Sequence, residues 1–553
     1  MKMRLLILIS FLLFLNFLNL NAQTFILYGD KTYGGDQHEM DPEIIQMGGN
    51  QFIIAGSSET DLNGDKTDAK CDSGSAQPYG DVWVLRSDTA FNILWNKSMG
   101  GTKSETLPRL LKGSGNKILF SGISDSDSSC EKSDSSRGTS SDYWICMVDS
   151  NGNKVWDRTY GGTDGESCPQ VIQLPSGDYI LAGASESPVG GDKTVSNYGG
   201  AGDQDYWVLK LDSMGNKLWD KVYGGTGLER EVYPIGFHYC FQILNDSGND
   251  FVLGGTTKSP VSGTISDTSR GLEDVWIVKL DSAGDKIWDK RFGGSGADLF
   301  SHIIHTDDNG YIIAGSSMSP QGYDVSDTSR GGFDYWLLKL DSLGNKQWDK
   351  RYGGNNTDYG NWIEKAPGGG YWVSGYTNSD SSGEVTGPSY GLNDYWIVKI
   401  DSAGNKLWDK RFGAYGEDKA NSFVILPDSS IFLCGFAEEG TSAVKTDYGK
   451  GSYDYWLVHF KYTDNTTGMN ENINQNNSVS VYPNPAHDII NINSKPNFIA
   501  TEMDLFDAAG RNIIHKNIHK TASVSIHELI PGIYFYEVKD TKGKNARGKL
   551  IKQ

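Results

Sequence analysis

An Asp-[Tyr/Val]-Trp step occurs seven times in this chain: Asp81-Val82-Trp83, Asp142-Tyr143-Trp144, Asp205-Tyr206-Trp207, Asp274-Val275-Trp276, Asp334-Tyr335-Trp336, Asp394-Tyr395-Trp396 and Asp454-Tyr455-Trp456. Successive tryptophans lie 61, 63, 69, 60, 60 and 60 residues apart. A fixed period of this length belongs to repeat architectures, in which each unit buries its apolar faces against the next copy.

The repeat ending at Trp348 shows what one unit contains. Ile303-Ile304 opens a short apolar strand, and Asp307-Asp308-Asn309-Gly310 is a turn. Residues 311–315 form a second strand, a Ser/Asp/Gly-rich loop runs to Gly332, and 335–340 form a third strand. Asp341-Ser342-Leu343-Gly344-Asn345 makes a hairpin turn into a fourth strand, 347–352, closed by Gly353-Gly354. Short strands of β-branched and aromatic residues between Gly, Asn and Asp turns are all-β signals, and four antiparallel strands per unit describe a propeller blade. A second Trp follows the first by twelve residues in six repeats, at Trp95, Trp156, Trp219, Trp288, Trp348 and Trp408. The seventh repeat ends at Phe460-Lys461 without that strand, whereas Phe25-Ile26-Leu27-Tyr28 followed by Tyr33-Gly34-Gly35 supplies one near the start. The N-terminal strand is therefore expected to complete the last blade and remove two sheet edges.

The 553 residues are too many for one core, so more than one domain is expected. Residues 1–22 read as a secretory signal peptide: Lys2 and Arg4 make a positive start, 5–15 is apolar apart from Ser10, and Leu20-Asn21-Ala22 offers cleavage before Gln23. No lipoprotein-type Cys follows the apolar run, and no later segment has the length of a transmembrane span. The net charge of −20 is uneven: 479–553 hold ten basic and seven acidic residues, while 23–478 hold 38 against 63, a net −25. So acidic a surface argues against nucleic acid and suits cations, or sugars held through carboxylates.

The pattern Gly-Gly-x-x-x-Asp/Glu, apolar strand, Asp-x-Gly, Tyr-Ile-x-x-Gly, long loop, Asp-Tyr-Trp-x-x-Lys-Leu-Asp-Ser-x-Gly-Asn-x-x-Trp, Tyr-Gly-Gly resembles the bacterial seven-bladed β-propeller repeat family over 24–461. The resemblance implies an extracellular or cell-surface protein with no shared catalytic residues. The fold class expected is all-β: a seven-bladed propeller of four-stranded blades over 23–461. Residues 462–478, with five Asn in 470–477, read as a linker. Beyond it come Tyr482-Pro483-Asn484-Pro485, Asp507-Ala508-Ala509-Gly510-Arg511, Pro531-Gly532-Ile533-Tyr534 and a basic last strand with Lys549 and Lys552. Together, at 479–553, these closely resemble the type A sorting domain of the type IX secretion system. That implies an immunoglobulin-like sandwich recognised by the type IX machinery, passage across the outer membrane, and release or attachment at the surface. Without the resemblance, the segment reads as a β-sandwich binding module.

Several residue groups are candidates for function. The loops joining second and third strands are long and share a face with the blade connections; binding residues favour long loops on a rigid scaffold. The fourth repeat has 26 residues between Gly225 and Phe251 where most have about 17, and the extra stretch carries Tyr233, Phe237, His238 and Tyr239. These rings could stack on sugars or anchor a protein partner, or pack against the neighbouring blade. An acid stands four residues after each Gly-Gly (Gly413-Ala414 in the last copy): Glu39, Glu105, Glu166, Glu229, Asp298, Asp358 and Asp418. Such a set could hold a cation, or each could cap the N–H groups of its own turn; presence in every repeat favours capping, and the Asp before each Trp reads the same way. Asp61, Asn63, Asp65 and Asp68 alternate like the start of a calcium loop but lack the distal Glu, so Ca2+ is the only cofactor suggested, against a plain acidic loop. His302 and His305, three apart on a strand, point to opposite faces.

Of the six cysteines, Cys71 and Cys130 occupy equivalent loops of adjacent repeats and are either bridged or free. Cys146 and Cys434 stand at strand positions and read as small buried hydrophobes. Thr89, Ser213, Ser282, Ser342 and Ser402 lie in Asp-Ser/Thr-apolar turns resembling bacterial O-glycosylation acceptors, although turn chemistry alone explains the pattern. No catalytic motif is present. The expected function is non-catalytic binding of glycan or protein at or beyond the cell surface. A polysaccharide-degrading enzyme, which would need a unique carboxylate pair, and a structural adhesion component are the alternatives.

Overall fold

A computed structural model describes residues 24–71, 80–200, 202–229, 241–463, 479–482, 486–494, 498–507, 511–518, 521–530, 532–541 and 545–552. Residues 1–23 and 464–478 lie outside the described residues. The chain divides into two compact units, one of Phe25–Tyr462 and one of Thr463–Gln553 with Met1–Thr24.

In the first unit every Asp-x-Trp step opens the third strand of a four-stranded antiparallel sheet, except that the last copy's strand begins one residue earlier. The first sheet runs Glu39–Gln46, Gln51–Ser58, Asp81–Asp88 and Ile93–Met99, paired in that order. Five more sheets repeat this order along the chain. The seventh contains Asp418–Ile425, Ser430–Glu438 and Tyr453–Thr463, and its fourth strand is Thr24–Tyr33 from the other end of the chain. The first strand of each sheet touches that of the next, and Asp418–Ile425 touches Glu39–Gln46, so the seven sheets close a ring.

Second and third strands are buried on both faces; every residue of Tyr311–Ser317 and Asp334–Leu340 is buried. That explains their nearly continuous apolar runs, because each sheet is covered by neighbours on both sides. The third-strand Trp fills the gap between sheets and is at most 1% exposed in all seven copies. A buried indole N–H needs an acceptor. It finds one thirteen residues on, in the fourth strand: Asn96 (3.2 Å), Asp157 (3.1 Å), Asp220 (3.0 Å), Asp289 (3.1 Å), Asp349 (3.0 Å) and Asp409 (3.0 Å). Trp456 has no fourth strand after it, and its Nε1 donates to Asp30 (3.0 Å) on the N-terminal strand. Asp30 thus stands where five other repeats place Asp and the first places Asn96, and the seventh sheet is completed in chemistry as well as in strand order.

The second unit has two sheets, one of Val479–Tyr482, Ile489–Ser494 and Thr521–Ser525, the other of Asn512–Asn517, Ala500–Phe506, Gly532–Asp540 and Asn545–Lys552. Ile490, Ile492 and Val524 from one and Met503, Leu505, Val538 and Leu550 from the other share a single core.

Replacing Asp30 with Ala leaves the buried Trp456 N–H without its acceptor. The expected cost is about 1–3 kcal/mol, read by urea denaturation; an unchanged midpoint would contradict the closure described here.

Candidate functional site

The acids after the Gly-Gly turns show what one turn of the ring is built from. Each accepts the N–H of the second turn residue: Gly35 to Glu39 (2.9 Å), Gly101 to Glu105 (2.7 Å), Gly162 to Glu166 (3.2 Å), Gly225 to Glu229 (2.9 Å), Gly294 to Asp298 (2.6 Å), Gly354 to Asp358 (2.8 Å) and Ala414 to Asp418 (2.7 Å). Most also accept a hydroxyl from the end of the second strand, as from Ser58 (2.8 Å), Ser124 (2.5 Å), Ser185 (2.7 Å) and Thr257 (2.8 Å). All seven are buried, as is the Asp of every Asp-x-Trp.

The two sets meet between sheets. The first glycine of each turn (Gly34, Gly100, Gly161, Gly224, Gly293, Gly353 and Gly413) lies beneath one carboxylate oxygen of each set, so close that a β-carbon would strike both. The Asp uses one oxygen to hold the preceding loop, accepting N–H from Arg137 (2.6 Å), Tyr198 (2.6 Å), Arg270 (2.9 Å), Arg330 (3.0 Å) and Tyr390 (3.0 Å) in Asp142, Asp205, Asp274, Asp334 and Asp394. Its other oxygen is buried without an N–H or hydroxyl donor in those five and in Asp454, and lies against the ring acid of the next sheet. A proton on one carboxyl is the donor this geometry lacks. Accordingly burial, with the neighbouring carboxyl, pushes Asp298 and Asp454 up to about 6, Glu166 and Asp418 to about 7, and Glu229 to about 9.

Each sheet also buries one cation beside its acids. In the first, second, third and seventh sheets it is a loop lysine: Lys66, Lys132, Lys193 and Lys445. In the fourth to sixth it is a fourth-strand arginine: Arg291 on Asp274 (2.6 Å), Arg351 near Asp334 (3.6 Å) and Arg411 on Asp394 (2.6 Å). The exchange is compensated. Where the strand supplies Arg, the lysine position of the loop holds Ile265, Val325 or Val385; where the loop supplies Lys, the strand holds Ser98, Thr159, Val222 or Thr32. Sequence reading missed this cation, and the Lys-or-Arg alternation is the signal that could have found it. Where a carboxyl is pushed well up, as Glu166 and Glu229 are, a proton together with the cation offsets the buried charge.

The other candidates fall as follows. Tyr233, Phe237, His238 and Tyr239 lie outside the described residues. Asp65 accepts the Gly34 N–H (3.2 Å) and pairs with Lys450; Asp68 accepts the Ser98 N–H (3.1 Å); the Asn63 carbonyl accepts the Lys66 N–H (3.0 Å); Asp61 faces Lys66. Asp65 and Asp68 tie the loop to other segments, whereas Asn63 and Asp61 engage Lys66 within it. Among the described residues no group of three His, Cys, Asp or Glu is placed to hold a metal. His302 stacks on Trp362 (3.8 Å) and His305 bonds the Asn245 carbonyl (2.6 Å), so the two histidines serve separate neighbours. Of two non-repeated acids near the insertion, Glu231 lies outside the described residues and Asp246 is taken by Lys279 (2.8 Å) and Tyr311.

A disulfide joins Cys71 and Cys130, Cα atoms 6.0 Å apart, and ties the long loops of the first two sheets. Cys168 is disulfide-bonded as well, and Cys146 and Cys434 are buried thiols. Ser213, Ser282, Ser342 and Ser402 are exposed and Thr89 half-buried, on hairpin turns whose Asp caps two backbone N–H groups. In the second unit Tyr482 ends a strand, Gly532 begins one, the Tyr534 hydroxyl donates to the Ile530 carbonyl (2.8 Å), and Lys549 and Lys552 lie on the last strand. Pro483, Asn484, Pro485, Gly510 and Pro531 lie outside the described residues.

Among the described residues, four tyrosines are exposed on the long-loop face: Tyr415 (87% exposed), Tyr323 (75%), Tyr448 (59%) and Tyr198 (43%). Leu62, Leu272 and Leu392 are exposed on the same face.

Residues 480–553 match the family described as a secretion system C-terminal sorting domain. The sorting domain makes the chain a client of the type IX secretion machinery, exported across the outer membrane to the cell surface or the extracellular space. Among the described residues no helix is long and apolar enough to cross a membrane. A curated relative, the regulatory protein FlaEY of Caulobacter vibrioides, is 24% identical over 212 residues, 36% of this chain. The match spans only 21% of that relative's length. Similar solved structures include a protein of unknown function from Dyadobacter fermentans (TM-score 0.36, 8% identity, 79% of this chain and 99% of that one). They also include the WD40 domain of Neurospora crassa Pan2 (0.41, 8%, 79% and 94%) and a polysaccharide lyase described as an ulvan lyase (0.41, 10%, 75% and 93%).

Two outcomes follow from the buried acids. Carboxyls whose folded pKa is raised stabilise the fold below their unfolded pKa of about 4 and lose that contribution as pH climbs through the folded value. The melting temperature should therefore be highest near pH 5 and fall towards about pH 8; a rise over that interval would refute the shared protons. Gly224→Ala puts a methyl into the oxygens of Asp205 and Glu229 and should cost about 1–3 kcal/mol or prevent folding, judged by circular dichroism.

Proposed function

We propose that the seven sheets are blades of a seven-bladed β-propeller, residues 23–461, that acts as a non-catalytic binding module at or beyond the cell surface. In this reading 1–22 is removed as a signal peptide. Residues 462–478 link the propeller to an immunoglobulin-like sorting domain at 479–553.

The observation that carries the binding role is the exposure of tyrosines on the long-loop face, Tyr323, Tyr415 and Tyr448 above all. An exposed phenol offers apolar area with a polar tip at little entropic cost, which suits stacking on sugar rings or anchoring a protein partner. The repeated acids do not serve catalysis, because each already holds an N–H, a proton or a cation. A polysaccharide-degrading activity is the second reading. It is favoured only by blade-specific groups on the innermost strands, such as the Glu43–Arg109 pair (3.6 Å).

The test is a glycan array with the full mature chain, run with and without calcium, since the acidic 61–68 loop is the segment a cation would address. Glycan binding should fall at least tenfold when Tyr323, Tyr415 and Tyr448 are changed to Ala with the melting temperature held. Binding unaffected by the triple change would move the site elsewhere. A depolymerised glycan would favour the enzyme. Deleting 479–553 should leave the protein cell-associated and inaccessible to protease added to intact cells.

A further inference from the structure

Departures from the repeat are legible because six other copies show what the fold needs. One position on each first strand faces the following sheet near the mouth formed by the tight turns. Its occupants are Ile45, Leu111, Ile172, Leu244, Ile304 and Val424, paired with Ile53, Leu119, Ile180, Val252, Ile312 and Phe432. In the sixth sheet the position holds Glu364, paired with Trp372. Six aliphatic residues show that the packing there asks for no carboxyl, and a residue that breaks a local rule is expected at a functional or strained site.

The surroundings of Glu364 are also particular to this sheet. Two residues earlier, Glu43, Gln242 and Ser422 use their side chains to accept an N–H from the next sheet, of Leu110 (3.4 Å), Ile303 (2.5 Å) and Ile44 (3.1 Å). The sixth sheet has Trp362 there, and an indole accepts nothing. Trp362 instead lies against His302 and donates Nε1 to Glu364 Oε1 (3.1 Å). That is the one hydrogen bond offsetting a burial that pushes the carboxyl up to about 7. Among the described residues no cation pairs with it. Lys365 is turned to Asp307 (2.6 Å), Lys112 to the Gln46 carbonyl (3.4 Å), and burial holds His302 neutral, its imidazole down at about 3.

A cavity of about 470 Å3 opens beside the carboxyl, lined by Gln46, Glu364, Lys365, Pro367 and the run from Phe423 to Pro427. Its volume is that of a small-molecule site, and its walls are polar and apolar in similar measure, with Gln46, Glu364 and Lys365 beside the apolar Phe423–Pro427 run. We propose that this cavity binds a small amphipathic amine, whose apolar body packs on Phe423, Leu426 and the two prolines and whose ammonium pairs with the Glu364 carboxylate. The ligand supplies the counter-charge that no side chain among the described residues gives this half-buried acid. The site lies at the mouth opposite the long loops, so it is independent of the binding role assigned to them.

Calorimetry on the full mature chain, with hexylammonium, hexan-1-ol and hexanoate as probes, tests the assignment. Hexylammonium should bind at least tenfold tighter than the other two near pH 8, and lose about tenfold by pH 6 as the carboxyl takes up its proton. Glu364→Gln should weaken it tenfold or more. Glu364→Leu, which restores the aliphatic residue of the other sheets, should abolish binding while the melting temperature holds or rises. The proposal fails if hexylammonium does not bind at about 10 mM, if hexan-1-ol binds equally, or if Glu364→Leu lowers the melting temperature, since the carboxyl would then be structural.

Discussion

Two carboxylates forced together away from water are tolerable only when a proton and a cation come with them. This protein brings two such carboxyls and a buried cation together seven times in one ring. Each acid of a Gly-Gly turn meets the Asp of the preceding sheet over a glycine that has no side chain to separate them, and a buried Lys or Arg stands beside each. The contact joins adjacent sheets by polar groups that cannot slide, whereas the tryptophan packing around them is apolar and less directional. The Gly-Gly spacing, the Asp before the Trp and the loop lysine are therefore parts of one device. Because every copy is needed to hold its own pair of sheets, the repeated acids are withdrawn from any single functional site.

Closure of the ring puts both ends of the first unit into one sheet. Asp30 takes the indole N–H of Trp456, and Asp447 takes the backbone N–H of Thr32 (2.9 Å) and the Lys31 ammonium (2.8 Å). The disulfide between Cys71 and Cys130 adds a covalent tie between the first two sheets. In a loop of this length such a bond contributes about 4 kcal/mol, and it suits a protein exported to an oxidising compartment.

Function on such a scaffold has to come from asymmetry. The long-loop face shows it as tyrosines placed differently from sheet to sheet. The innermost strands show it as Glu43, Arg109, Gln170, Gln242, His302, Trp362 and Ser422 at one equivalent position, mostly used to clasp the next sheet. Glu364 differs from these because its neighbours leave it without a counter-charge and a cavity lies beside it.

The period of the Asp-x-Trp steps, the apolar strands and the turn residues were enough to place the four strands of each repeat and the supply of the missing strand by the N-terminus. These are local signals, repeated often enough to be unambiguous. The final motifs were likewise enough to identify the sorting domain. What the sequence could not say was which groups meet. Asp205 and Glu229 are 24 positions apart and share a proton only because two sheets bring them over Gly224. Arg291 replaces a loop lysine because strand and loop converge on one buried point. Glu364 looks in sequence like any strand-end acid, and only packing shows that it stands where six other sheets place aliphatic side chains. Distances between sheets are set by tertiary packing, and burial, which determines the state of a carboxyl, does not exist until the ring has closed.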